Sequence, residues 1–420
     1  MNFYKKILSN SFYLYLIQGI NFIFPLLLIP YIIKVFTIES YGIYTFAFSF
    51  IQIVSLFIDF GFHLPLVRKV SISDDKSYHI ELFWRVTIAK SIMFILCIIG
   101  SIILLKNIDQ FQKYQVAIFY AFPMAVGNII FPVWLFQGIN KMKTLGILTV
   151  VSKLFIIPLV FIYVKSDRDL YLCIFIQSTL ILVSSILSVS YLKRIYKDYF
   201  FFKKQNVRKI LLEVKDSFPM FLSNSSIMLY THGLIILLGY FGTADDVGLY
   251  GVYDKIIKTI SGSILTPVVA ACFPIISKAS IDNLTQANKL YNKIFYFFIG
   301  GILLIILTFL CFKPFVINSF LKNYLSASNY YFIFIGSLLP IAVGSFIGQL
   351  GIVAMGDRKA DLNFSKVYLL VGLVSVPVSI ISIGLYTLNG SIFAMYFAEI
   401  LILISMIYYK YRSYENRDLY

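Results

Sequence analysis

Apolar stretches long enough to cross a bilayer recur along this whole 420-residue chain, and no other property restricts its fold so tightly. A hydrocarbon core takes about 17 to 25 predominantly apolar residues in helical form. Twelve such stretches fall at 11–33, 41–66, 83–105, 115–137, 144–164, 169–192, 217–239, 249–274, 291–312, 329–355, 362–385 and 388–409. Backbone groups in lipid must find partners within their own segment, so these runs are expected to be helices. Only 13% of residues are charged, about half the share of an ordinary soluble chain. The expected fold is all-α and integral to a membrane, with twelve transmembrane helices.

The chain also repeats itself. Thr37, Gly42, Ile43 and Tyr44 recur as Thr243, Gly248, Leu249 and Tyr250, each displaced by 206 positions, and in both copies they follow a long apolar run. Solenoid repeats have periods of about 20 to 50 residues, so this one reads as a duplicated half-protein. The expected organisation is a six-helix bundle over 1–192, a basic linker over 193–216, and a second six-helix bundle with a short tail over 217–420. The linker has room for an interfacial helix and no domain.

Lys5 and Lys6 ahead of an apolar run outline a signal peptide, but the run is too long and has no small-residue cleavage site, so it reads as a retained first span. Lys and Arg concentrate on one side of the twelve-span arrangement. That side holds Lys5, Lys6, Arg68, Lys69, Lys76, Arg85, Lys141, Lys143, the linker, and the tail with Lys410, Arg412 and Arg417. The positive-inside rule makes that side, with both termini, cytoplasmic. A formal charge of +16 is thereby explained by topology and by anionic headgroups, without nucleic acid. Cys97, Cys173, Cys272 and Cys311 all fall within apolar spans at no paired spacing, and read as packing residues.

Polar residues at depth are the candidate functional groups. Gln18, Asn21 and Pro25 share a face of the first span, suited either to lining a lumen or to hydrogen bonding between helices. Asp59 closes the second span in the string Asp59-Phe60-Gly61, followed by Arg68 and Lys69; an ion pair with a neighbouring Lys or Arg is one role, ion coupling the other. The kinase meaning of that string is excluded, since no Gly-rich loop or His-Arg-Asp accompanies it. Lys90 and Lys366 lie near cytoplasmic span ends and can snorkel. Lys153 is nearer mid-span, where a lysine costs about 2.5 to 3.5 kcal/mol to insert. Asn224, Ser225 and His232 mark the seventh span, and His232 suits either packing or proton coupling. On the eighth, Asp254 and Lys258 have the favourable i, i+4 order for a pair, which leaves Lys255 uncompensated. Glu399 is isolated in the last span.

Enzyme chemistry is not visible. No Gly-x-x-x-x-Gly-Lys-Ser/Thr loop cradles phosphates. No His, Cys or carboxylate cluster has metal-ligand spacing, and His63, His79 and His232 assemble no catalytic arrangement. A membrane polymerase or ligase is expected to have a sizeable outer loop, and the loops here are short.

Gln18, Asn21, Pro25, Pro30-Tyr31, Gly42-Ile43-Tyr44, Asp59-Phe60-Gly61 and Arg68 together resemble the opening hairpin of bacterial polysaccharide flippases of the Wzx (O-antigen) type. Their superfamily also contains multidrug and toxin extruders and the peptidoglycan-precursor flippase. The resemblance implies two six-helix bundles around a central cavity. It also implies an undecaprenyl-diphosphate-linked oligosaccharide as substrate, moved from the cytoplasmic to the periplasmic leaflet of the bacterial inner membrane by alternating access. On that reading Gln18, Asn21, Lys153, Asn224, Lys255 and Lys258 are the substrate-binding candidates, and Asp59, His232, Asp254 and Glu399 the ion-coupling candidates. No cofactor or metal is expected. A H+ or Na+ gradient, the membrane potential and other polysaccharide assembly proteins are expected to contribute. The alternatives are an ion-coupled multidrug extruder of the same superfamily and a membrane polymerase or ligase.

Overall fold

The computed structural model describes residues 24, 27–202, 204–320, 324, 328–356 and 358–415. Among them the chain is helical throughout, with no strand. A helix over 27–35 (α1) precedes α2 (Ile38–Asp59), α3 (His63–Ser71), α4 (Lys76–Asn107), α5 (Gln115–Ile130), α6 (Val133–Gly138), α7 (Met142–Tyr163) and α8 (Leu170–Tyr196). There follow α9 (Val207–Phe241), α10 (Ala244–Asp282), α11 (Leu284–Cys311), α12 (Lys313–Phe320), α13 (Tyr331–Phe346) and α14 (Arg358–Glu415). Nine helical segments among the described residues are long and apolar enough to cross a membrane, or ten if the bent α10 is one span. The protein is therefore a multi-pass membrane protein.

The difference from twelve has local causes. Most of the expected first span lies outside the described residues. The expected spans 362–385 and 388–409 run together in α14, broken only at Thr387, where φ is 45° and ψ −114°. Within α10 the axis bends by 42° between Val269 and Ala271; Pro274 crowds the carbonyl four residues before it, which is that of residue 270. The seventh expected span is longer than its apolar core, since α9 begins at Val207 within the linker.

Contacts divide the chain into two compact units, one of Met1–Phe36 and Ile43–Met228, the other of Thr37–Gly42 and Leu229–Tyr420. In the first, α5 and α8 pack through small residues. A Cβ on Gly127 would lie 2.6 Å from the Leu182 nitrogen. Ser178 and Ser185 on α8 donate hydrogen bonds to the Tyr120 and Gly127 carbonyls of α5, each at 2.9 Å. Close backbone approach with hydroxyl cross-links is how helices associate where lipid removes the hydrophobic driving force. At one end of this unit Phe62, Leu66 and Val70 of α3, Phe83 and Val86 of α4, Trp134 to Phe136 of α6, and Leu192 and Tyr196 of α8 form a buried cluster.

In the second unit Tyr230, Val343, Ile347, Val367, Val371, Ala398 and Met406 form the core. The Ile347–Val353 segment that follows α13 is π-helical, and Lys410 lies 3.5 Å from the centre of the Tyr291 ring. The repeated glycines meet here. A Cβ on Gly42 would fall 1.8 Å from the Ala244 carbonyl oxygen, and one on Gly248 would fall 2.2 Å from that of Ile38. Thr243 caps α10 in a reciprocal box with Asp246, and the Thr37 hydroxyl accepts from the Ser40 nitrogen at 3.3 Å.

Candidate functional site

A cavity of about 460 Å³ opens within the first unit. Its position follows from the end of α2. Phe60 and Gly61 both have positive φ, 41° and 70°, a conformation natural to glycine and costly elsewhere. The turn they make lies against α9: a Cβ on Gly61 would sit 2.4 Å from the Phe221 nitrogen, and the Phe60 and Phe221 rings stack at 4.4 Å. α2 therefore stops at Asp59, and the chain turns directly into α3.

Asp59 is held there by Lys90 of α4. The Lys90 ammonium donates to Asp59 Oδ1 at 2.6 Å and to the Asn128 carbonyl at 3.1 Å. The lysine side chain is 5% exposed and that of the aspartate 53%, so the cation is buried behind a carboxylate that faces open space. Asn128 Nδ2 donates to Ser55 Oγ at 2.8 Å. Gln52, His63, Trp134 and Asn224 complete the polar lining, and His63 Nε2 lies 2.9 Å from Gln137 Oε1. Phe62 and Trp134 belong both to this wall and to the buried cluster at the end of the unit.

Of this cavity's lining, Asp59 and Asn224 are among the candidates the sequence offers, and Gln52, Ser55 and Asn128 are not. The missed signal was present. Gln52, Ser55 and Asp59 are spaced i, i+3, i+7, the same one-face pattern that drew attention to Gln18, Asn21 and Pro25. Lys90 is an ion-pair partner of Asp59, not a snorkelling residue. Gln18 and Asn21 lie outside the described residues. Lys153, on α7, is half-buried and does not line this cavity.

The other candidates gather in the second unit. Asp254 and Lys258 are paired on α10, with Nζ 2.8 Å from Oδ1 and 2.9 Å from Oδ2. Glu399 of α14 and His232 of α9 are near enough to interact electrostatically with both. Tyr230, Tyr250 and Tyr368 interact in turn with Glu399. Lys255 is exposed and makes no ion pair among the described residues. Among those residues no group of three or more His, Cys, Asp or Glu is placed to hold a metal ion.

A third polar assembly fixes the start of α9. Lys69 of α3 reaches Glu213 and Asp216, each at 2.7 Å. Arg85 of α4 bonds Glu81 and lies 3.6 Å from Glu213, and Lys209 reaches Glu81 at 3.3 Å. The Arg85 and Glu213 side chains are both buried.

Residues 7–280 match the profile of the polysaccharide biosynthesis protein family. The chain belongs to that family. This polysaccharide biosynthesis protein is 29% identical over 285 residues, 68% of each chain, to a relative from Escherichia coli (strain K12) that carries the words O-antigen transporter in its name. A relative from Shigella dysenteriae with the same words in its name is 26% identical over 405 residues, 95% of this chain and 98% of the other. Its fold is similar to that of the lipid II flippase MurJ in an inward closed conformation, with a TM-score of 0.67 at 15% identity, covering 95% of this chain and 86% of that one. It is also similar to an inward-facing multidrug resistance MATE family transporter of the MOP superfamily, with a TM-score of 0.62 at 16% identity over 95% of each chain. These relatives and neighbours are named as transporters and flippases.

Proposed function

We propose that this protein is a flippase that moves an undecaprenyl-diphosphate-linked O-antigen or other surface-polysaccharide repeat unit from the cytoplasmic to the periplasmic leaflet of the bacterial inner membrane. The observation that carries this reading is a fold similar over 95% of the chain to a lipid flippase, in a member of a polysaccharide biosynthesis family. Twelve spans in two six-helix bundles, with both termini cytoplasmic, would let the head group cross by alternating access while the lipid tail stays in the bilayer. Lys153, Lys255 and Lys258 would attract the diphosphate; Gln18, Asn21 and Asn224 would contact sugar. Outward movement of two negative charges across an inside-negative membrane is favourable by about 2.3 kcal/mol per charge per 100 mV. Coupling to H+ or Na+ would fall to Glu399 with His232 and Asp254, or to Asp59.

The first test is the leaflet that holds the lipid-linked sugar in cells lacking the protein, read with a membrane-impermeant sugar probe on right-side-out vesicles. Accumulation on the cytoplasmic face is expected; normal periplasmic exposure, with no second flippase present, defeats the reading. Lys153→Ala and Lys255→Ala are expected to lose export while inserting normally, and full export by both would remove them from the site. The rival, a multidrug extruder, has the likeness to the multidrug transporter on its side. It calls for a net acidic cavity to take cationic drugs, whereas Asp59 is matched by Lys90.

A further inference from the structure

We propose that the cavity of the first unit takes the uncharged, hydroxyl-rich part of the substrate, and that the Asp59–Lys90 pair sets this preference by presenting a carboxylate without a net charge. The substrate class rests on the flippase reading; the site's preference for hydroxyls rests on its own groups. Gln52 and Asn224 line the cavity, and neither side-chain amide makes a hydrogen bond with any described residue. Each amide offers two donors and an acceptor, open to water or to a ligand that enters the cavity. Asp59 gives one oxygen to Lys90, and its other oxygen accepts from no described residue. The wall thus displays donors and acceptors interspersed, with carboxylate, amide and hydroxyl groups from Gln52, Ser55, Asp59, Asn128 and Asn224 around one space.

Charge decides between ligands. An entering phosphate meets the half-exposed carboxylate first, and the lysine behind it is 5% exposed and already engaged by Asp59 and the Asn128 carbonyl. An organic cation meets a carboxylate whose charge Lys90 has already matched. A sugar hydroxyl both donates and accepts, so it satisfies carboxylate oxygen and amide alike without a net charge. The volume of about 460 Å³ is in the range of small-ligand sites, and the buried Phe62 and Trp134 beside it give ring faces an apolar wall.

The test uses full-length protein in nanodiscs, titrated with two lipids: the lipid-linked oligosaccharide that accumulates in cells lacking the protein, and undecaprenyl diphosphate without sugar. Gln52→Ala and Asn224→Ala are each expected to weaken binding of the sugar-bearing lipid by about tenfold, the loss of roughly one hydrogen bond, and to leave undecaprenyl diphosphate unchanged. Lys90→Met, which leaves the carboxylate unmatched, is expected to gain binding of ethidium that the unaltered protein lacks. The double variant Asp59→Asn/Lys90→Met, which removes both charges together, is expected to gain none and serves if the single variant fails to reach the membrane: ethidium binding by it overturns the assignment. Equal weakening of both lipids by the amide variants, or no change in either, also overturns it. An unaltered protein that binds both lipids with mute amides fails the sugar assignment alone. One that binds neither fails the flippase reading as well.

Discussion

At Gly61 a backbone conformation and a close approach coincide. Its φ is 70°, and any side chain there would meet the α9 backbone. An alanine would impose both a strained φ and a collision, and strained conformations of this kind cost about 1 to 3 kcal/mol. Gly61→Ala is therefore expected to lower the thermal midpoint of the detergent-solubilised protein and to shift Asp59 away from Lys90; an unchanged midpoint would show that the turn can relax. The sequence made Asp59 legible as an ion-pair candidate, because a charge at a span end is conspicuous. It did not make the partner legible. Arg68 and Lys69 are its neighbours in the chain, whereas Lys90 is 31 residues away; that pairing depends on how α2 and α4 are rotated about their axes, which no local pattern encodes.

Among the elements, α9 shows what hydropathy sees and what it omits. Its apolar part from residue 217 was visible as a span, while the turns from Val207 to Asp216 looked like linker because they are charged. Three of their charged residues, Lys209, Glu213 and Asp216, have partners on α3 and α4, which ties these turns to the bundle. Burial lowers the affinity of the Lys69 ammonium for its proton, but hydrogen bonds and charge attraction from Asp216 and Glu213 outweigh burial, and its pKa is raised above the usual lysine value. A raised folded value means that the pairing stabilises fully below the unfolded lysine value and is lost as pH rises through the folded one. The gap in thermal midpoint between the protein and Lys69→Met is thus expected to stay constant through neutral and mildly alkaline buffers and to close only beyond the ordinary lysine range. Closure near neutrality would contradict the assignment. Glu213→Ala takes an acid from both Lys69 and the buried Arg85, which keeps Glu81, and is expected to cost about 1 to 3 kcal/mol.

For the whole molecule, the all-α membrane architecture was legible because runs of apolar residues are local and lipid permits few other solutions. The break at Thr387 was not, since it interrupts a helix without interrupting its hydropathy. The repeat reads as a duplication, and the structure adds a geometric relation to it. Gly42 abuts Ala244, Gly248 abuts Ile38, and residue 38 corresponds to 244 as 42 corresponds to 248. Exchanging the two copies maps the contact onto itself, as in the self-complementary interface of a two-fold dimer. The nearest atom in each pair is backbone, so a methyl group on either glycine is expected to separate both pairs at once. The second substitution then finds the gap already open. Gly42→Ala and Gly248→Ala should consequently each destabilise the fold, while together they cost little more than one; a double variant whose loss equals the sum of the two would show that the pairs part independently. In genetic terms, the two copies are expected to be epistatic at the point where they touch.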